Sequence, residues 1–129
     1  MSALFLRDAA VIALTAAADY SAGRGKSVTI SGDTATLSAS ATVHARGIIL
    51  EGATSGNQVT VAILGAGGGT VPAKLSGTVT KGDKMQQHTD GTWITDAATG
   101  ARVVSLVALE SGVSGDIIEA ATLTPITLS

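Results

Sequence analysis

One stretch of the chain occurs in two versions, and this duplication limits the folds that the chain can adopt. Residues 50–59 read LEGATSGNQV, and residues 109–118 read LESGVSGDII. In both, an apolar segment runs into a Ser-Gly turn and a second apolar segment follows. Over residues 49–64 and 108–123, six of sixteen aligned residues are identical, where chance in so Ala-, Thr- and Gly-rich a chain would give roughly one or two. The match indicates a duplicated supersecondary unit.

The duplication and the turn signals predict how the chain is organised. Each unit offers about four short strands, with a turn roughly every ten residues, which is typical of all-β sandwiches and barrels. We therefore predict an all-β fold, a small barrel or sandwich built from two tandem pseudo-symmetric β units with an N-terminal arm. The predicted boundaries are a single domain over 1–129, an arm and first strand over 1–20, a first unit over 22–64, a Gly-rich linker over 65–74 and a second unit over 75–123.

The two predicted hairpins show the duplication in detail. Strict alternation over residues 27–30 indicates a half-buried strand, and Gly32-Asp33 supplies the turn before the strand that ends at Leu37. In the second unit Asp90-Gly91 is the corresponding turn, and Ile94 is the predicted counterpart of Leu37 at a spacing of 57 residues. We also expect Leu50 and Leu109 to point into the core.

Composition restricts the kind of core and the kind of partner. The chain is 45% hydrophobic but only 2% aromatic, so its core must consist mainly of Val, Ile, Leu and Ala. Only 14% of the residues are charged, well below the usual quarter, which suggests that partners cover part of the surface. The net charge is −2 and the basic residues form no run, so we expect no nucleic-acid partner.

Other classes are disfavoured by single features. The chain has no cysteine, which rules out disulfides and Cys-ligated zinc. Its longest apolar segment, residues 9–18, is too short to span a bilayer, and we expect a soluble protein made in the cytoplasm with no membrane partner. The run of glycines from Gly65 to Gly69 lacks the Lys-Ser/Thr that a phosphate loop requires.

The ionisable residues form no recognisable catalytic, cofactor or metal motif. His44 and His88 have no acidic or Ser partner at a catalytic spacing, and we interpret both as solvated loop residues. Glu51 and Glu110 occupy the same place in the two units. They could form a paired-carboxylate site; we favour structural roles, in which each ends its strand and pairs with Arg46 or Arg102. We therefore predict no enzyme activity, no catalytic or metal residue and no cofactor.

A carrier domain is the main alternative from another class. Lys84-Met85, after Lys81-Gly82-Asp83, faintly resembles the hairpin that presents a modified lysine in biotinyl and lipoyl carrier domains, which are also pseudo-twofold β sandwiches. In those domains the lysine lies at the hairpin tip, whereas the tip here is Thr89-Asp90-Gly91. A small β enzyme that uses Glu51 and Glu110 is the further alternative.

A set of turns and strand ends recurs in both units: residues 81–83, 108–110 and 114–118 in the second unit, and residues 25–27, 49–51 and 55–59 in the first. Through these residues the two units resemble the capsid cement, or head decoration, proteins of tailed bacteriophages. The first unit departs from the pattern at Ser27, where the second unit has Asp83. The resemblance covers roughly residues 22–123.

The resemblance implies a structural protein that binds the outer surface of a phage capsid and stabilises the shell by bridging coat subunits. It implies a homotrimer, the major capsid protein as partner, and a location on the virion after synthesis in the host cytoplasm. The N-terminal arm could add a strand to a sheet edge of the coat protein. We therefore expect the partner-binding residues in the arm, at Leu4, Phe5, Leu6, Val11 and Ile12.

Overall fold

The structure is a computed structural model that describes residues 10–38, 40–42, 45–65 and 69–129. The described residues form ten β-strands and one short 3₁₀ turn between the seventh and eighth strands. The elements are β1 (Val11–Ala16), β2 (Ser27–Ser31), β3 (Thr34–Leu37), β4 (Gly47–Glu51), β5 (Gln58–Ile63), β6 (Thr70–Lys74), β7 (Lys84–Gln87), the 3₁₀ turn (Thr89–Gly91), β8 (Trp93–Thr95), β9 (Arg102–Ala108) and β10 (Ile117–Leu128).

The first five strands close into a barrel with the order β1-β3-β2-β4-β5, called here the first barrel. All of its pairings are antiparallel except the one between β1 and β3, which is parallel and places Thr15 opposite Thr34 and Ala16 opposite Ala35. Because closure pairs both edges of the sheet, no strand in the barrel is left as an edge. The predicted all-β class is confirmed.

The last five strands form a sheet with the order β6-β10-β9-β7-β8, called here the second sheet. This is the order of the first barrel read in the other direction from β1, with β6 to β10 as the equivalents of β1 to β5 in chain order. Its pairings are again antiparallel, and β6 lies beside β10 as β1 lies beside β5. Between β6 and β8, the equivalents of β1 and β3, only an isolated parallel bridge from Leu75 to Trp93 is present among the described residues. The second sheet therefore has the topology of the first barrel but lacks the last strand pairing, between β6 and β8, that would close it.

The strand registers show that the two halves are copies. Val11 lies opposite Ala62 in the first barrel, and Thr70 lies opposite Ala121 in the second sheet, both 59 residues later. The hydrogen bonds of the turns repeat as well: the Gly56 amide donates to the Ala16 carbonyl at 3.0 Å, and the Gly115 amide donates to the Leu75 carbonyl at 2.9 Å. Each unit thus consists of five strands.

Two sequence-based boundaries differ from the structure. The predicted linker over 65–74 contains β6, and the segment before Tyr20, which we placed outside the duplication, supplies β1, the counterpart of β6. The duplication of this strand was hidden because Val11–Ala16 and residues 70–75 share no identical residue. Pro72 is tolerated in β6 because β6 pairs with β10 alone, and an edge strand can spare one donor.

The hairpins differ by one residue in length. In the first barrel Ser31 pairs directly with Thr34 across a two-residue turn. In the second sheet the His88 amide donates to the Thr92 carbonyl at 2.7 Å, across three residues. The extra residue moves the β8 equivalences by one, so the predicted match of Ile94 to Leu37 is wrong: Ile94 lies opposite Gln86 where the first barrel has Thr36 opposite Thr29.

The interiors of the two units use the same positions with different side-chain sizes. Eight buried residues fill the first barrel, and each has a buried counterpart at the equivalent position of the second sheet. None of the pairs is identical: Leu14/Ala73, Ala16/Leu75, Tyr20/Val79, Val28/Met85, Ala35/Trp93, Ile49/Ala108, Val59/Ile118 and Val61/Ala120. Where one unit has a large residue, the other usually has a small one at the equivalent position, so the two interiors are filled by different combinations of side chains.

The second sheet is completed by the first barrel. Ile48 and Ala62 alternate with the interior residues of β4 and β5, so they face out of the first barrel, and both belong to the core of the second sheet. Backbone hydrogen bonds join the same regions: the Lys74 amide donates to the Gly25 carbonyl at 2.9 Å, and the Gly91 amide donates to the Ser38 carbonyl at 2.8 Å. The first barrel therefore has its own interior cluster, and its outer face forms part of the core of the second sheet.

The inward-pointing residues of the duplicated stretch are not the ones we expected. Leu109 is 40% exposed and Leu50 is half-buried, whereas Ile49 and Ala108 are fully enclosed. Leu50 packs against the core of the second sheet from outside the first barrel. The prediction for Leu109 is wrong because the interior of the sheet uses the alternate positions of the strand.

Candidate partner-binding surface

The predicted partner-binding residues fall in two groups. Leu4, Phe5 and Leu6 lie outside the described residues. Val11 and Ile12 begin β1 and are paired along β5, where Val11 lies opposite Ala62 and Ile12 lies opposite Val61. Val11 is half-buried, and Ile12 is 39% exposed although it faces the barrel interior. In the described part of the arm, Ile12 is the only large apolar side chain that is exposed.

Ile12 belongs to an apolar mouth at one end of the first barrel. Ile30 lies opposite Ala35 and Ile63 lies opposite Gly47, so both face inward like Ile12. The antiparallel pairings bring the start of β1 and the ends of β2 and β5 to the same end of the barrel, and the Ile63 amide donates to the Ala10 carbonyl at 2.8 Å.

The equivalent end of the second sheet has a different chemistry. The counterparts of Ile12, Ile30 and Ile63 are Val71, Gln87 and Thr122. Val71 is 1% exposed and Gln87 is fully buried. The apolar mouth is therefore particular to the first barrel. Whether the mouth and the segment before it bind a partner stays a prediction.

Three other exposed apolar residues lie around the second copy of the duplicated stretch. Leu109, Val113 and Ile117 are 40%, 56% and 42% exposed, and they are called here the 109–117 patch. They surround the connection between β9 and β10. Sequence reasoning missed this patch because it treated the two copies as equal; a position-by-position comparison would have shown that Thr54 and Gln58 of the first copy became Val113 and Ile117.

Strand alternation places the 109–117 patch on the outer face of the second sheet. Ala108 and Ile118 face the core, so Leu109 and Ile117, next to them in sequence, face away from it. Gly112 also faces inward, since a Cβ there would meet the Ile118 side chain at 2.8 Å. Val113 follows it and is the most exposed of the three.

The backbone around the patch is held by two carboxylates. The Asp116 Oδ2 accepts a hydrogen bond from the Val113 amide at 2.9 Å, and the Glu110 Oε1 accepts one from the Glu119 amide at 2.8 Å. The Leu109 amide donates to the Glu119 carbonyl at 3.0 Å. These bonds hold the backbone at both ends of the connection that carries the patch.

Glu51 and Glu110 have separate surroundings. Both are exposed, and Glu110 accepts the backbone bond just described. The pairing that we expected between Glu110 and Arg102 is wrong, because Arg102 forms an ion pair with Asp96 and also donates from Nη1 to the Gly100 carbonyl at 2.9 Å. The hydrogen bond from Arg102 is the main reason why the pKa of Asp96 is lowered from its usual value.

The described residues contain no other constellation that points to chemistry. His88 Nδ1 lies 3.3 Å from the Ser76 hydroxyl, and His44 lies outside the described residues. Within the described ranges there is no pocket and no group of three potential metal ligands, and none of their helical segments is long and apolar enough to cross a membrane.

The hairpin tip of the second sheet differs from a lysine-presenting tip. Gly91 is buried against the first barrel, where its amide bonds to Ser38 and its carbonyl accepts a hydrogen bond from the Ser27 hydroxyl at 3.2 Å. Lys84 is at the opposite end of the hairpin, at the start of β7. A docked tip without a lysine does not favour the carrier alternative.

The fold defines the class as an all-β protein of two tandem five-stranded units. No protein-family model matches the sequence, and no curated protein matches it either. Among solved structures, the chain is similar to the N base of the head fiber gp8.5 of bacteriophage phi29, with a TM-score of 0.65 and 15% identity. The match covers 88% of this chain and 93% of that one. At this identity the likeness shows a common fold.

Proposed function

We propose that this chain is a structural protein of a tailed-phage virion, which binds the outer surface of the capsid and stabilises the shell by bridging coat subunits. The observation that carries the proposal is the likeness in fold, over nearly the full length of both chains, to the base of a phage head fiber. The turn-and-strand residues that resemble cement proteins are a separate observation, made on the sequence alone, and they favour the same class.

The proposal includes a homotrimer, with the major capsid protein as partner and no enzyme activity. A trimer over a point shared by several coat subunits makes three weak contacts at once, and the effective concentration of the second and third contacts raises the overall affinity. Only 14% of the residues are charged, and a low content of charged residues favours a surface that is largely buried in contacts with other proteins.

A capsid-binding experiment tests this function. The purified chain is mixed with expanded, empty capsids assembled from the coat protein of the phage that encodes it, and bound chain is measured by co-sedimentation. We expect saturable binding and a shell that resists a higher temperature than the undecorated one, with unexpanded capsids as the control. Light scattering gives the oligomeric state. A monomer that fails to bind expanded capsids would contradict the proposal.

A further inference from the structure

The two copies of the duplicated stretch act as internal controls for each other. Thr54 and Gln58 in the first copy and Val113 and Ile117 in the second hold the same positions, and all four side chains are exposed. The first copy shows that this connection folds with polar residues at both positions. The apolar residues of the second copy therefore have a cause other than folding of the connection.

The third member of the patch differs in its environment rather than in its identity. Leu50 and Leu109 hold the same position, but Leu50 packs against the core of the second sheet while Leu109 stays 40% exposed. The outer face of the first unit is thus covered by the second sheet. The equivalent face of the second unit is left uncovered by the described chain, and it is the one that carries Val113 and Ile117.

The charges beside the patch indicate what kind of surface could cover it. Glu110, Asp116 and Glu119 are all exposed, and their counterparts in the first copy are Glu51, Asn57 and Thr60. The second copy therefore gained two carboxylates together with two apolar side chains. Two cations lie beside these three carboxylates: Lys81, whose amide donates to the Ser111 hydroxyl at 2.9 Å, and Lys74, which lies opposite Ile117 on β6. The border of the patch is acidic overall.

An acidic border argues against contact between two equal patches. In a twofold contact each patch would face the carboxylates of the other, and like charges brought together across an interface are unfavourable. A surface with an apolar centre and a border of Lys or Arg would bury the three apolar side chains and pair with the carboxylates.

We infer that the 109–117 patch is the contact through which this protein binds a different protein, at an apolar surface bordered by Lys or Arg. This step rests on the proposed function, in which that protein is the capsid coat protein. The patch lies in the second unit, whereas the sequence led us to expect the binding residues in the N-terminal arm.

The test replaces the patch with the residues of the first copy. The double variant Val113→Thr/Ile117→Gln keeps the fold, because the first copy carries those residues at exposed positions, and its thermal midpoint should stay within about 2 °C of the parent. We expect its affinity for expanded capsids to fall at least tenfold. Ile126→Gln is the matched control, since Ile126 is 45% exposed outside the patch, and its affinity should change less than twofold.

A charge variant tests the border separately. Glu119→Lys should weaken capsid binding at low salt and reduce the dependence of the affinity on ionic strength, because it removes an attraction that salt screens. Glu119 holds the Leu109 connection through its backbone only, so the substitution leaves those hydrogen bonds in place.

The outcomes separate the inference from the proposed function. If the parent chain binds capsids and the double variant binds equally well, the patch is not the contact, and the proposed function stands. If the double variant changes the oligomeric state in light scattering, the patch binds a second copy and the inference is overturned. If the parent chain does not bind capsids at all, the proposed function and the inference fail together.

Discussion

The first barrel and the second sheet have the same strand order and the same registers, yet one is closed and the other is not. At the seam, the first barrel has Ala16 opposite Ala35, and the second sheet has Leu75 at a single bridge to Trp93. Small residues let β1 and β3 approach over two successive pairs. The larger pair fills the interior instead, and the first barrel supplies side chains to complete that core. Closure is thus decided by side-chain volume within one topology.

Of the substitutions considered, those that exchange the seam residues of the two units should change the free energy of unfolding most. Trp93 is fully buried, and Trp93→Ala should lower the free energy of unfolding by about 3–5 kcal/mol. In the opposite exchange, Ala35→Trp, the indole has no space in the closed barrel, and we expect a loss larger than the roughly 1–3 kcal/mol typical of modest overpacking. Urea unfolding followed by circular dichroism measures both.

A conservative variant serves as the control for this exchange. Trp93→Phe keeps most of the apolar volume and removes Nε1, a donor that has no hydrogen-bond partner among the described residues. We expect it to cost clearly less than Trp93→Ala. Equal losses for Phe and Ala would mean that the volume of the indole does not support the second core.

The docking of the two units can be tested with a pair of glycines. Gly25 and Gly82 hold equivalent positions with φ of 85° and 95°. A Cβ at Gly25 would lie 2.7 Å from the Lys74 amide nitrogen, whereas nothing lies within 4 Å of one at Gly82. Gly82→Ala should cost about 1–2 kcal/mol for its backbone conformation alone. Gly25→Ala should cost roughly 1–3 kcal/mol more, because it also displaces the second sheet.

Thermal unfolding of these two variants gives the comparison directly, since the backbone strain is common to both. A Gly25→Ala variant no less stable than Gly82→Ala would show that Gly25 does not lie against β6 in solution.

The smallest expected effect concerns an ion pair that only the second unit contains among the described residues. The pKa of Asp96 is lowered by Arg102, so the stability that the pair contributes is present above the ordinary pKa of an Asp, about 3.9, and is lost as the pH falls through the lower folded value. Asp96→Asn should cost about 1 kcal/mol at pH 7, the upper end for such pairs at a surface. The cost should vanish in strong acid.

Urea unfolding between pH 2 and pH 7 measures this dependence. Asp33→Asn, which removes an exposed carboxylate from a hairpin turn of the first barrel, is the matched control for the loss of one acidic group. A cost for Asp96→Asn that is the same at pH 2 and pH 7 would contradict the assignment.

Most strands could be predicted from local patterns, and the reason is periodicity. Val28 and Ile30, or Val59 and Val61, alternate with polar or outward residues, which marks a strand with one buried face. β6 was missed because Pro72 and the neighbouring glycines obscure that alternation. The 109–117 patch was harder to predict. Leu109 is exposed and Leu50 is not, because the other unit covers only the face that carries Leu50, and no local sequence pattern contains that information.

The sequence by itself determined the class, the duplication and the turns, because alternation, Ser-Gly turns and Gly-Asp hairpins act over a few neighbouring residues. Tertiary structure alone decided that each copy has five strands, that one copy closes, and that equivalent residues have opposite environments. The physical reason is that closure and docking depend on the summed volumes of side chains from strands far apart in sequence. Ala35 leaves space at the seam of the first barrel, whereas Trp93 fills the equivalent space in the second sheet. The same docking covers Leu50 and leaves Leu109 exposed.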